Sequence, residues 1–484
     1  MNDWIKDEVP AFAVVGKINM GKSSVLATLL EIDDDAVLRV SNTPGETTRC
    51  QILPLSCRGE EHLRFIDTPG FSRPLEAMRA IQELHGEGTP TLKTVQTFVE
   101  NHLGGGEFED EARLLEPVVQ GAGVLYIIDP SKPLRDSFVA EMEIMRWTGR
   151  PRMAVLNEKG TAHERIDEWK SRLGSYFNLV RTFNAHHARF EERRSLLSSL
   201  LAIDEKNKER IEETIELLDE EWGQRREEGA EIILEFLGKA MSYREKANLS
   251  EHEAQLSHRR NKKESDLSKR YFDKITKFEE EAYGKLLKLY RHHLIKYQAG
   301  EEHFKGLDLS SQETWEKWGL SRGKLTLVGA LTGAGTGLTV DIGTGGLTHG
   351  LGTLLGGAIG AGAAFFGGKD LPDLKIDAIK GVSFSGGNDQ ALVMGPPKNE
   401  NFPWILLDRC LHHFREITER AHGRRDDELD ARAEMDAGWV DRFPKERRST
   451  LHKWFIKVGK KGEANFDTEV YQAVLDALEE LEEG

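Results

Sequence analysis

A chain of 484 residues is long enough for two or three domains with cores of their own, and 31% charged against 38% apolar residues reads as soluble and helix-rich. Its 66 basic and 82 acidic side chains leave a net charge of -16, which argues against a general nucleic-acid binder, because most of the surface would repel a polyanion unless a local basic patch overrode it. Three cysteines, Cys50, Cys57 and Cys410, lack metal-ligand spacing and suggest a reducing compartment, and the mixed-charge start MNDWIKDEVP is no secretory signal, so cytoplasmic residence is expected.

The first predicted element is an apolar strand, Pro10 to Val15, running into GKINMGKSS, Gly16 to Ser24, and then a helix over SSVLATLL. A strand, a glycine-containing loop and a helix N-terminus form a phosphate cradle. Gly16 and Gly21 let backbone N–H groups curl around the phosphates. Lys22 brings a point charge to the β- and γ-phosphates, the Ser23 hydroxyl is a Mg²⁺ ligand, and Ser24 joins the nucleotide-binding set. Next comes SNTPGETTRCQILPL, where Pro44 and Gly45 mark a mobile loop before Thr47 and Thr48. A threonine there can complete a Mg²⁺ shell only with a triphosphate bound, which is how a switch loop works. HLRFIDTPG is a second apolar strand, ending about 45 residues after Lys22 in Asp67-Thr68-Pro69-Gly70. The Asp67 carboxylate can hold Mg²⁺ through water, and the Gly70 N–H can meet the γ-phosphate.

These three motifs resemble the translation-factor-related GTPases, most closely the Era and TrmE group, over roughly residues 8–200. The resemblance implies an α/β P-loop domain with a mostly parallel sheet flanked by helices. It makes Thr48 the switch ligand for Mg²⁺ and puts Phe71 where many small GTPases keep a catalytic Gln. It also implies that Asn19 holds a K⁺ ion in place of an arginine finger, so that Lys22, Asn19 and Thr48 are the catalytic set.

The guanine-reading end departs from the family pattern. After the strand Val124–Ile128 comes RMAVLNEKG, with Asn157 present, but Glu158 in place of the family Lys and Gly160 in place of the Asp. That carboxylate accepts hydrogen bonds from guanine, and its loss weakens discrimination against adenine. YFNLVRTFNAHH then reads as a last strand with Asn184-Ala185-His186 at the base loop, where the Ala185 N–H could recognise O6. GTP and GDP remain the expected ligands, by resemblance. Residues 72–120 are a longer insertion than the family connection, read either as a lid or partner-facing segment or as a longer helix with a surface loop.

From about Phe190 long charged helices are expected. Ile211, Ile215, Leu218 and Trp222 form one stripe, and Ile275, Phe278, Ala282, Leu286 and Leu289 another, suited to helical hairpins or coiled coils. HRRNKKESDLSKR, 258–270, is a basic run near an expected helix turn, either a solvated face or a contact for anionic headgroups. The pairs His292-His293 and His412-His413 have no spacing that suggests a metal site.

Residues 325–366 carry a single formal charge, Asp341, within a stretch that holds about a third of the chain's 47 glycines. Gly352, Gly356 and Gly360 recur at every fourth position, which would let helix backbones approach closely. Three readings stay open: a membrane-inserting hairpin turning near Asp341, a glycine-lined helical pair within a folded domain, and a flexible loop. The tail offers a β-hairpin around SFSGGNDQALVM, a helix after Pro403 anchored by Phe402 and Trp404, and an acidic amphipathic helix at DTEVYQAVLDALEELEEG.

The expected domains are 1–200, a GTPase domain; 201–320, charged helices; 321–370, the glycine-rich segment; and 371–484, a C-terminal region resembling one fused to bacterial GTPases. The leading expectation is GTP hydrolysis with Mg²⁺ and K⁺, coupled to a helical part that meets a membrane or a protein partner, at the inner face of the membrane if 325–366 inserts. The alternatives are a weakly hydrolysing scaffold and an RNA-associated GTPase, the latter disfavoured by the acidic balance.

Overall fold

The computed structural model describes residues 4–6, 9–34, 37–38, 49–158, 165–249, 256–293, 295, 375–377, 390–396, 402–424, 438–462 and 464–483. Thr47, Thr48, Gly160 and the glycine-rich stretch 325–366 lie outside them.

The described chain forms two compact units. The first runs to Gln224 and takes in two short stretches from far along the chain, 291–293 and 418–424. Its centre is a six-stranded sheet in the order β2-β3-β1-β4-β5-β6, with β1 at Ala11–Val15, β2 at Gln51–Cys57, β3 at Glu60–Asp67, β4 at Gly123–Ile128, β5 at Arg152–Asn157 and β6 at Leu179–Phe183. Only β2 is antiparallel to its neighbour; the other pairings are parallel. A parallel sheet is covered on both faces, so its strands read as continuous apolar runs rather than alternating ones. AFAVV shows this: Ala11, Ala13 and Val15 enter one core cluster, while Phe12 and Val14 enter another. On the first face pack α2 (Pro74–His85), α3 (Leu92–His102), α4 (Glu109–Gln120), α5 (Asp136–Trp147) and α6 (Ile166–Leu173). On the second pack α1 (Lys22–Leu30), α7 (Phe190–Ser198) and the first half of α8 (Lys208–Ser242).

Residues 72–120 form three helices, α2 to α4, where one longer helix and a loop was one of the expectations. Phe98, Phe108, Leu114 and Leu115 are buried in the core beneath the sheet. Ile211, Ile215 and Leu218 are buried as their spacing predicts, and Trp222 is half-buried, its ring stacked on Phe190 at 4.4 Å.

The second unit holds the rest of α8, α9 (Ser257–Leu289), α10 (Phe402–Glu419, its last residues apart), α11 (Lys445–Lys461) and α12 (Thr468–Glu483). A three-stranded antiparallel sheet, β7-β9-β8, adds Glu245–Leu249, Gln390–Met394 and Lys375–Asp377. Of the expected tail hairpin, the second arm is β9, Gln390–Met394, while its turn and first arm lie outside the described residues. The basic run 258–270 occupies the first turns of α9, with Leu267 buried within it and Tyr271 just after it. On α9 the buried line runs Tyr271, Ile275, Glu279, Ala282, Leu286 and Tyr290, with Phe278 and Leu289 half-buried at its edge. Gly229 on α8 is where several helices come close: a Cβ there would lie 3.3 Å from Phe414 and 3.7 Å from both Leu286 and Leu478. Phe402 and Trp404 are buried as anchors of α10. No helix among the described residues is long and apolar enough to cross a membrane.

Glu279 is the polar centre of this unit. Its carboxylate accepts two bonds from Arg409, Nε at 2.6 Å and Nη2 at 2.7 Å, and both side chains are about 2–3% exposed. Burial pushes the Glu279 carboxyl up, but Arg409 and His413 beside it outweigh that and hold it at about 2, against an ordinary 4.5. A depressed carboxyl stabilises the fold above its unfolded value and loses that contribution as pH falls towards the folded one. The expected outcome is that Glu279→Ala costs about 3–5 kcal/mol, because Arg409 then stays buried without its bidentate partner. Denaturant titration checks this, and between pH 5 and pH 2 the wild type should lose more stability than the variant.

Candidate functional site

The phosphate loop joins β1 to α1, beside the end of β3 that carries Asp67. Gly16 has φ +147°, and a Cβ on it would lie 2.5 Å from the Ile127 carbonyl oxygen of β4, so only glycine fits where the loop leaves the strand. Gly21 caps α1 with φ 89°. Asn19 adopts φ 66°, in the left-handed region that asparagine tolerates best among side-chain-bearing residues, and is exposed on the loop. Lys22 folds back over the loop: its ammonium donates to Gly16 O at 3.1 Å and Lys17 O at 3.4 Å. Burial lowers the Lys22 pKa, and Asp67 and Glu141 pull it back up.

The parallel register sets Val14 of β1 beside Asp67 of β3. The Thr68 hydroxyl donates to Val14 O at 2.8 Å, fixing the chain as it leaves the strand. Gly70 then passes so close to the phosphate loop that a Cβ on it would lie 2.9 Å from Ile18 N. Lys22, Ser23, Asp67 and Gly70 are thus brought to one place; Thr48 lies outside the described residues. Phe71 is 1% exposed and belongs to the core cluster, so the residue after DTPG is an apolar packing residue. The next two N–H groups, of Ser72 and Arg73, donate to Glu111 Oε1 at 3.0 and 2.6 Å. This buried carboxylate at the start of α4 steadies the entry to α2. The sequence reading missed it, because a Glu among the charges of GEFEDEAR gives no sign of being inside.

At the end of β5, on the same edge of the sheet as the phosphate loop, Asn157 is fully buried and works as a brace. Its Nδ2 donates to Met20 O of the phosphate loop at 3.4 Å, and its Oδ1 accepts the Ala185 N–H at 3.2 Å. The Ala185 N–H assigned to guanine O6 is here engaged with Asn157. Ala185 O accepts the Thr28 hydroxyl of α1 at 2.7 Å, so Ala185 is held through both of its flanking peptide groups.

A further carboxylate lies beneath the loop. Glu141 of α5 has no exposed surface; its Oε2 accepts the Tyr126 hydroxyl at 2.8 Å, and its Oε1 has no hydrogen-bond partner among the described residues. Burial raises its carboxyl to about 7, opposed by the Tyr126 hydrogen bond and by Lys17 and Lys22. In EMEIMRW this Glu looks like any helix charge; only its packing distinguishes it from Glu143, two residues on.

Residues 170–480 match the family described as a domain of unknown function, DUF3482, and residues 11–158 match the family described as 50S ribosome-binding GTPase. Among curated relatives, a probable GTP-binding protein EngB from Anaeromyxobacter sp. (strain Fw109-5) is 36% identical over 74 residues, which is 14% of this chain and 33% of that protein. The EngB of Mycoplasma capricolum is 33% identical over 70 residues, with the same coverage of 14% and 33%. The EngB of Gemmatimonas aurantiaca is 28% identical over 202 residues, covering 40% of this chain and 84% of that one. The chain spans about a third of the length of the first of these relatives. The crystal structure of Era in complex with MgGDPNP and nucleotides 1506–1542 of 16S ribosomal RNA is 18% identical, over 50% of this chain and 72% of that one. At a TM-score of 0.25 this likeness is too slight to carry a conclusion.

The raised Glu141 carboxyl has a consequence for stability. Between its unfolded value near 4.5 and its folded value of about 7 the native state binds the proton more tightly. Stability therefore falls as pH rises through that window, by on the order of 3 kcal/mol. Glu141→Gln should flatten this dependence and raise the thermal midpoint above that of wild type at pH 8, as read by melting curves at pH 5 and pH 8.

Proposed function

We propose that the chain, which belongs to the DUF3482 family and carries a P-loop GTPase domain ahead of that region, hydrolyses GTP to GDP and phosphate with Mg²⁺. The observation that carries the proposal is the meeting of four groups from two motifs. Lys22 lies folded over the loop between Gly16 O and Lys17 O, and Asp67 and Gly70 reach the same loop from β3. Ser23 stands on the first turn of α1, and Asp67 is a buried carboxylate at the end of the neighbouring strand. A hydroxyl and a carboxylate are the oxygen donors that Mg²⁺ prefers, and Thr48 would complete the set. Mg²⁺, when bound, supplies charge neutralisation at the β- and γ-phosphate oxygens. Lys22 stabilises negative charge that develops on the transferred phosphoryl group, and Gly16 and Gly21 let the backbone close around the phosphates. No side chain at position 71 orients water, since Phe71 belongs to the core. Asn19, exposed on the loop, is the K⁺ ligand that takes over charge stabilisation. Asn157 and the 184–186 loop receive guanine.

Phosphate release in K⁺ against Na⁺ buffers tests this. Wild type should turn over several-fold faster in K⁺, and Asn19→Ala should erase the difference. Lys22→Ala should lower the rate by about 100-fold or more. Equal, negligible rates in every arm would leave a nucleotide-stabilised scaffold that docks a protein partner.

For the C-terminal region we propose association with a lipid surface through residues 325–366, supported by their composition: a long apolar, glycine-rich run with one formal charge. Liposome flotation should recover the full chain and lose the form deleted of 325–366. Equal recovery of both would rule the segment out as the anchor.

A further inference from the structure

The helix that carries Lys22 is held at its far end by chain from hundreds of residues away. The Gly423 N–H donates to Thr28 Oγ1 at 2.9 Å, across 395 residues of sequence, and the same hydroxyl donates to Ala185 O at 2.7 Å. Thr28 has no exposed surface. The fit leaves no room for a side chain: a Cβ on Gly423 would lie 2.6 Å from Ser24 O, 2.6 Å from Thr28 Oγ1 and 2.7 Å from Ala185 O. Two of those three atoms are backbone, which cannot swing aside.

The neighbours of Gly423 are anchored as well. His422 stacks on His292, with ring centroids 4.1 Å apart and planes 10° from parallel, and both rings are buried. His293 N donates to Asp33 Oδ2 at 2.6 Å, just beyond α1. Glu31, at the end of α1, pairs with Arg193 at 2.6 Å and Arg291 at 3.3 Å. Glu419 pairs with Arg189 at 2.8 Å. Residues 291–293 and 418–424 therefore clasp the end of α1, and Gly423 reaches past it to the base loop.

We propose that Gly423 and Thr28 are positioning residues for the purine: the segment 421–424 of the DUF3482 region holds the Ala185 peptide through the Thr28 hydroxyl and so sets nucleotide affinity and base selectivity. This rests on the reading of the site as a guanine-nucleotide site. Ala185 has two grips, Asn157 on its N–H and Thr28 on its carbonyl, one on each flanking peptide group. With Gly160 where the family has a carboxylate, base discrimination falls more heavily on how the backbone at 184–186 is held. By linkage, a nucleotide that needs this geometry also stabilises the segment that maintains it.

Full-length protein and fluorescent GDP and ADP analogues test the proposal, with inorganic pyrophosphate as competitor. Thr28→Val removes both hydrogen bonds at nearly constant shape, and Gly423→Ala forces the segment away. Each should weaken GDP binding about tenfold and narrow the GDP-over-ADP ratio, with pyrophosphate affinity unchanged. Thr28→Ser should restore both readouts. Equal weakening of GDP and pyrophosphate would mark general loosening and overturn the proposal, as would an unchanged ratio in both variants. A wild type without preference for GDP over ADP would instead overturn the guanine reading. Hydrogen exchange on wild type needs no variant to fold: the peptide containing Gly423 should exchange more slowly with GDP bound, and unchanged exchange would overturn the coupling.

Discussion

Lys22 sets the terms for the nucleotide domain. An ammonium that is 8% exposed has lost most of its hydration, and the loss is supportable only if other dipoles and charges replace water. Two carbonyl oxygens of the loop do so directly, and two buried carboxylates, Asp67 and Glu141, do so through space. Each partner comes from a different place in the fold. The carbonyls need the left-handed turn that Gly16, Asn19 and Gly21 allow, Asp67 needs the parallel pairing of β1 with β3, and Glu141 needs α5 packed under the sheet. A parallel sheet with both faces covered supplies all three requirements at once.

The same logic of bracing holds the loop at 184–186. Asn157 links the phosphate loop at Met20 to the Ala185 loop, so strand ends that are remote in sequence are tied together. Thr28 repeats the grip from the opposite side, using the helix that begins with Lys22. The phosphate loop and the Ala185 loop are thus joined through α1, and Gly423 bonds to the same Thr28 hydroxyl from much further along the chain.

The second unit solves a different problem. Long helices rich in Glu, Lys and Arg can pack only if their apolar stripes meet and their buried charges are matched. Gly229 gives α8 the close approach that Phe414, Leu286 and Leu478 exploit. Glu279 sits in the buried line of α9 where a stripe of apolar residues would be simpler, and Arg409 answers it with a bidentate pair. Such a pair adds little net stability over an apolar core, but a misaligned register would strand both charges, so it favours one packing over its neighbours.

Sequence by itself determined the strand–loop–helix of GKINMGKSS, the strand ending in DTPG, the last strand before Asn184, and the helical stripes of α8 and α9. Each of those signals is local: a glycine in a strained turn, an apolar run of strand length, a period near three and a half residues. Local signals also misled where a stripe could shift by one position, as when Glu279 and not Phe278 turned inward. Only the tertiary structure decided that Glu111 caps the chain after DTPG, that Glu141 lies under the phosphate loop, that β7 joins a sheet with β8 and β9, and that Gly423 meets Thr28. A buried Glu and a solvated Glu look alike in a charged helix, and a lone glycine in AHGRR has no pattern around it. Their roles come from atoms dozens to hundreds of residues away, and sequence spacing carries no record of that distance.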